Sequence, residues 1–248
     1  MTNDDGIDSE GLLALRESLS RIGETVVIAP DRNWSAAGHN KTMHKPLRVT
    51  KVRMPGDIEG YSCDGTPSDC VAMSMLGLAG LRPDLVVSGI NKGANLGGDV
   101  TYSGTVAAAM EAVISRVPGI AVSLSSVHDQ EFQVAADFAA LLAQRVMEAH
   151  IDPTVLLNVN VPSVPQEAIK GVLVTRLGHR VYRDQLIERK DPFGRSYYWI
   201  GGDEPTGEAE EGTDIGAIAN GYISITPIHM DLTNYALIDQ LKGWNLTP

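Results

Sequence analysis

The sequence predicts an α/β fold: a doubly wound (Rossmann-like), mostly parallel sheet, followed by a C-terminal part built around an extended hairpin. Short runs rich in Val, Ile and Leu recur at residues 25–29, 85–87, 120–124 and 155–161. Helical patterns separate them, and buried strands alternating with helices make a parallel sheet covered on both faces. Past Pro162 the rhythm changes to extended segments punctuated by glycine.

Taken in order, Leu12, Leu15, Leu19 and Ile22 fall at helical spacing and predict a helix over 9–22, with Ser9 as N-cap and Gly23 as stop. The β-branched run 25–29 is closed by Pro30. A weaker strand is expected over 47–53 and a helix over 68–78. The buried strand at 85–87 follows, then a helix over 105–114, a strand at 120–124, a long helix over 131–149 and a strand at 155–161. Beyond it come a strand over 172–177 and a hairpin over 178–199, turning at Asp191-Pro192-Phe193-Gly194. Residues 201–216, carrying Glu204, Glu208, Glu210 and Glu211, read as an acidic loop, before a strand at 222–226 and a short helix at 235–241. The change of rhythm divides the chain into a core over 1–165 and a C-terminal part over 166–248. Only Met1 and Thr2 precede Asn3-Asp4-Asp5-Gly6, where such folds place a central strand, so the expectation is that the recorded start omits it.

Composition narrows the function classes. With 248 residues, 43% hydrophobic and 21% charged, the chain buries a sizeable core and is not disordered. No apolar run approaches the ~20 residues of a membrane span, and the start has no secretion signal. Cys63 and Cys70 make neither a disulfide framework nor a zinc spacing, which suits reduced thiols in the cytoplasm. A net charge of −11 repels long nucleic acid. Small anions remain possible where backbone N–H groups or a metal bind them.

In open α/β sheets ligands bind beyond the carboxyl ends of strands. Three polar clusters fall there: Asn3-Asp4-Asp5-Gly6, then Asp31-Arg32-Asn33-Trp34-Ser35, then the glycine-rich run from Ser88 through Asn91 and Asn95 to Asp99. Two adjacent carboxylates repel and a cation relieves that cost, although Asp-Gly is also an ordinary turn. The glycine-rich run permits close approach to an anion, matches neither a phosphate-loop nor a dinucleotide pattern, and reads equally as a flexible loop. Ser103, before a helix, is an N-cap or, with Thr105 and the helix start, an anion site. A cation could take carboxylates from Asp4 and Asp5, a hydroxyl from Ser35 and an amide oxygen from Asn91, a hard set suited to Mg²⁺, Mn²⁺ or Ca²⁺. His39 reads as a structural loop histidine, and Trp34 as a base-stacking or a structural ring.

Together these stretches resemble the SurE family of metal-dependent nucleotidases. The matching residues are Thr2-Asn3-Asp4-Asp5-Gly6-Ile7, Ala29-Pro30-Asp31-Arg32-Asn33 with Ser35, and Gly65-Thr66-Pro67-Ser68-Asp69-Cys70-Val71. They continue through Ser88-Gly89-Ile90-Asn91, Gly93-Ala94-Asn95-Leu96-Gly97, Tyr102-Ser103-Gly104-Thr105-Val106, Asn158-Val159-Asn160-Val161-Pro162 and Gly221-Tyr222-Ile223-Ser224-Ile225-Thr226-Pro227. The resemblance implies one divalent cation, Mg²⁺ or Mn²⁺, on Asp4, Asp5, Ser35 and Asn91. It implies a phosphate site on Asn95, Ser103, Gly104 and Thr105. The implied activity is hydrolysis of nucleoside 5'-monophosphates, with 3'-monophosphates and short polyphosphate as further substrates, and Asp4 and Asn95 as the catalytic pair. It also implies a homodimer or homotetramer in which the C-terminal hairpin is a swapped extension.

Two rivals use the same residues. One is a non-catalytic nucleotide- or phosphate-sensing module. The other is a phosphatase working through a phospho-aspartate, which wants two Asp one residue apart, whereas Asp4 and Asp5 are adjacent.

Overall fold

The computed structural model describes residues 1–80, 82–126, 131–203, 205–244 and 246. Helix α1 (Glu10–Leu19) starts where the Ser9 hydroxyl accepts the N–H of Leu12, and it buries Leu12, Leu15 and Leu19 along one stripe. Strand β1 (Ile28–Pro30) runs parallel to β3 (Ile58–Cys63), which pairs antiparallel with β2 (Val49–Met54). Helix α2 (Pro67–Met75) opens on a capping box between Thr66 and Asp69. Then β4 (Val86–Lys92), β5 (Gly119–Ser125) and β6 (Val155–Pro162) lie parallel and adjacent, linked through α3 (Gly104–Ile114) and α4 (Gln133–Ala149).

The remaining elements are β7 (Val172–Val174), β8 (Arg180–Val181), β9 (Asp184–Lys190), β10 (Ser196–Gly202), β11 (Thr206–Gly207), α5 (Asp214–Ala219), β12 (Ile223–His229) and α6 (Tyr235–Lys242). Strand β12 returns antiparallel to β6 and carries β7 beside it, giving the order β4-β5-β6-β12-β7. The hairpin β9–β10 pairs Asp184 with Gly202 at its base and Lys190 with Ser196 at its tip.

Alternation along β5 explains the two layers. Ile120, Val122 and Leu124 join Leu15, Phe132 and the Ala135, Ala136, Ala139 and Ala143 row of α4 on one face. Ala121 joins Val106, Ala109 and Leu156 on the other. Each fully buried Ile, Leu or Val contributes about 1.5–3 kcal/mol by burial. Helix α3 comes so close that a Cβ on Gly119 would lie 2.6 Å from the Ala109 carbonyl oxygen.

Met1 and Thr2 join the two sheets. The Met1 carbonyl accepts from Ile28 N–H, Thr2 N–H donates to Val87, and the Thr2 carbonyl accepts from Gly89 N–H. These two residues thus supply strand hydrogen bonds between β1 and β4. Below them, between Val26 and Leu85, lies a cavity of about 340 Å³.

Some elements differ from expectation. Strand β3 was not foreseen: Glu59 and Gly60 interrupt its apolar signal, and Gly60 packs against Met54, where a Cβ would lie 2.7 Å from the sulfur. Strand β4 runs on to Lys92, so Ser88 to Asn91 are strand and not loop. The acidic stretch contains β11 and leads into α5, capped by Thr213. Glu204 lies outside the described residues.

Candidate active site

The end of the Met1–Thr2 segment, the loop after β1, the end of β4 and the start of α3 converge. Asn3 shapes the first turn. Its Oδ1 accepts from Gly6 N–H at 3.2 Å, and its Nδ2 donates to the Gly6 carbonyl at 3.0 Å and to Ser9 Oγ at 2.6 Å. Gly6, at φ +106°, lies over the Arg32 backbone, where a Cβ would come within 3.3 Å.

Asp4 is 3% exposed. Its Oδ1 accepts from the Thr105 hydroxyl at 2.5 Å, and its carbonyl accepts from Trp34 N–H at 2.7 Å. Burial pushes its carboxyl up to about 6, with the neighbouring Asp5 charge adding to the rise and the Thr105 hydroxyl opposing it. Asp5 is half-buried. Its Oδ1 accepts from Asn33 Nδ2 and its Oδ2 from Lys92 N–H, each at 3.3 Å. Burial raises its pKa too, while the Lys92 N–H and ammonium oppose that rise.

Asn33 also accepts Ser35 N–H at 2.7 Å, an Asx turn that fixes Ser35 beside Asp5. Asn91 precedes the Lys92 N–H that touches Asp5, and its Nδ2 is engaged by the Gly93 carbonyl at 2.8 Å, which leaves its amide oxygen as the remaining donor to a cation. The structure therefore brings Asp4, Asp5, Ser35 and Asn91 into one neighbourhood. Among the described residues no three or more His, Cys, Asp or Glu are placed to hold a metal ion by themselves, so a cation here would depend on hydroxyl, amide and water oxygens beside the two carboxylates. Two carboxylates whose charged forms are disfavoured by burial fit such a cation, because its charge offsets that penalty.

The anion side is the start of α3. Ser103 is its N-cap, accepting Val106 N–H at 3.1 Å, and no acidic residue occupies the first turn. The helix end presses on Asp4: a Cβ on Gly104 would lie 2.7 Å from Asp4 Cβ. The Thr105 hydroxyl is committed to Asp4. Asn95 is buried nearby, its Nδ2 donating to Ser123 Oγ at 2.7 Å and its peptide held by Asn158 and Asn160.

The sequence reading gave no role to Asn3, Asn33 or Glu111. Glu111 on α3, 3% exposed at its side chain, accepts from Lys41 Nζ at 2.6 Å and His39 Nε2 at 3.2 Å, which anchors the loop carrying Ser35. Asn3 at the head of the Asp-Asp-Gly turn and Asn33 two residues before Ser35 were the available signals for the first two. The Arg32 guanidinium stacks over the Trp34 ring at 5.6 Å from its centroid.

Known proteins resemble this chain over nearly its whole length. The family model described as Survival protein SurE matches residues 1–184. The 5'-nucleotidase SurE of Herpetosiphon aurantiacus is 51% identical over 99% of this chain and 98% of the relative. The protein of the same name from Chloroflexus aggregans is 52% identical over 98% of this chain and 97% of its own. The crystal structure of the SurE protein from Aquifex aeolicus superposes with a TM-score of 0.84 at 44% identity, covering 98% of this chain and 97% of that one.

Proposed function

The chain belongs to the SurE family of survival proteins, and from that membership we propose how its site works. It is a nucleotide phosphatase, a phosphoric monoester hydrolase of the 5'-nucleotidase type. We propose that hydrolysis depends on one divalent cation, Mg²⁺ or Mn²⁺, held by Asp4, Asp5, Ser35 and Asn91, and that nucleoside 5'-monophosphates are the main substrates, with 3'-monophosphates and short polyphosphate also cleaved.

When bound, such a cation supplies positive charge against the phosphoryl oxygens and acidifies a water. The chain's own residues do the rest. Asp4, with Oδ1 held by Thr105, orients the attacking water and takes its proton on Oδ2. Ser103 and the backbone N–H of Gly104 at the positive end of α3 meet the phosphate, and Thr105 lines that pocket while fixing Asp4. Asn95 donates its free amide N–H to an equatorial oxygen as charge builds there. The products are nucleoside and inorganic phosphate.

The single observation that supports this reading most is the burial of the Asp4 carboxylate against a helix N-terminus, one residue from a second raised carboxyl. Phosphate release from a panel of 5'- and 3'-nucleotides and short polyphosphate, with Mg²⁺, Mn²⁺ or EDTA, tests it. Release that EDTA abolishes is expected. Binding without release would instead favour a nucleotide-sensing module.

We also place the metal and phosphate site in residues 1–165 and assembly in 166–248. The β9–β10 hairpin leaves Leu186, Tyr198, Trp199 and Ile200 exposed, an apolar arm that suits a homodimer or homotetramer. Deleting residues 180–198 is expected to lower the particle mass in light scattering. No helix among the described residues is long and apolar enough to cross a membrane. Cys63 and Cys70 are buried and unpaired as a disulfide, which supports a cytoplasmic location.

A further inference from the structure

Toward the carboxyl ends of β5 and β6, the face that packs on α3 changes character. Gly119 and Ala121 are followed on that face by Ser123, and Leu156 by Asn158 and Asn160, with Ala121 opposite Asn158 and Ser123 opposite Asn160. Ser123, Asn158 and Asn160 are all fully buried. Polar groups this deep are costly unless hydrogen-bonded, and a sheet face packed on a helix needs none of them.

Among the described residues, their side chains converge on Asn95. Asn160 Oδ1 accepts the Asn95 N–H at 2.8 Å. Asn160 Nδ2 and Asn158 Nδ2 donate to the Asn95 carbonyl at 3.0 and 2.9 Å. The Asn95 side chain donates to Ser123 Oγ at 2.7 Å. The peptide of Asn95 is thus gripped at both of its polar atoms by β6, and the plane of its amide is set by β5.

We propose that Ser123, Asn158 and Asn160 are positioning residues that act through Asn95, fixing its backbone and turning the second amide N–H toward the phosphoryl group. This rests on the assignment of Asn95 to the phosphate site. Ser123 is the most informative member, because its hydroxyl touches the amide itself and its removal takes one atom from the core. Without it, the Asn95 side chain rotates about its last torsion, and ground-state binding suffers less than the developing charge it has to meet.

A double-mutant cycle on phosphate release with Mn²⁺ tests this, using Asn95→Ala, Ser123→Ala and the pair. Ser123→Ala is expected to lower kcat by about 10- to 100-fold. KM should stay within about threefold, as for loss of an interaction made only in the transition state. In the Asn95→Ala background the second substitution should cost no more than about twofold, since the residue it serves is already gone. Ser123→Ala at the parental kcat, or with the same penalty in both backgrounds, overturns the proposal while leaving Asn95 in place. Asn95→Ala at the parental rate overturns both assignments. Should Ser123→Ala melt far below the parent, Ser123→Cys, with its poor acceptor, carries the same cycle.

Discussion

The Thr105 hydroxyl donates to Asp4 Oδ1 at 2.5 Å, joining two residues 101 positions apart in the chain. Through this bond the start of α3 sets the rotamer of a buried carboxylate. Thr105→Val keeps the shape and removes the donor. A hydrogen bond to a charged group is worth about 1.5–3 kcal/mol, so the variant is expected to lose about that much in urea unfolding at pH 8. Its affinity for Mn²⁺, read by calorimetry, should fall as Asp4 loses its orientation, by about tenfold.

Asp4→Asn separates charge from shape. Burial is the main reason the Asp4 carboxyl is raised to about 6, so at pH 8 the metal-free fold bears the cost of an ionised buried group. The amide removes that cost. Thermal melts with EDTA should give a melting temperature equal to or above the parent's, with unchanged circular dichroism and no phosphate release.

Gly104→Ala places a methyl 2.7 Å from Asp4 Cβ, closer than packing tolerates. Alanine favours a helix over glycine by about 1 kcal/mol, so helicity should survive. Activity should not: displacement of a reacting group by about 1 Å costs up to about 100-fold. Circular dichroism and phosphate release on one preparation check both halves.

Glu111→Gln probes the tether on the Ser35 loop. Burial alone would raise the Glu111 carboxyl, but hydrogen bonds and charge from His39 and Lys41 outweigh it and hold the group below its usual value. For a carboxyl lowered in the folded state, the stabilisation is present above its ordinary 4.5 and is lost as pH falls through the folded value. The variant should therefore be less stable than the parent by about 1–3 kcal/mol at pH 7, with the gap closing in melts taken progressively below pH 4.5.

Much of this was legible in the sequence because the signals were local. Ser9 and Ser103 cap the helices that their spacing announces, and β5 and β6 are mostly apolar runs. The polar clusters at the ends of strands stood out, since nothing in a core explains Asp4 beside Asp5. What escaped depended on long-range register. Strand β3 carries Glu59 and Gly60 because Glu59 lies on its solvent face and Gly60 on the buried face, against Met54. Asn91 looked like part of a loop, since four glycines nearby masked the strand that continues β4 to Lys92. Asn33 and Glu111 are ordinary polar residues until the fold sets one between Asp5 and Ser35 and the other under Lys41. Met1 and Thr2 carry no strand signal of their own, yet their backbone groups bond β1 on one side and β4 on the other.

If Asp4, Asp5, Ser35 and Asn91 share one cation, losing one of the two carboxylates should empty the site. Calorimetric titration of Mn²⁺ into the EDTA-treated, dialysed chain, beside Asp5→Asn, tests it most directly. One site per chain is expected in the parent and none in the variant, with the two melting alike in EDTA. Equal binding heats and stoichiometry in both would contradict it.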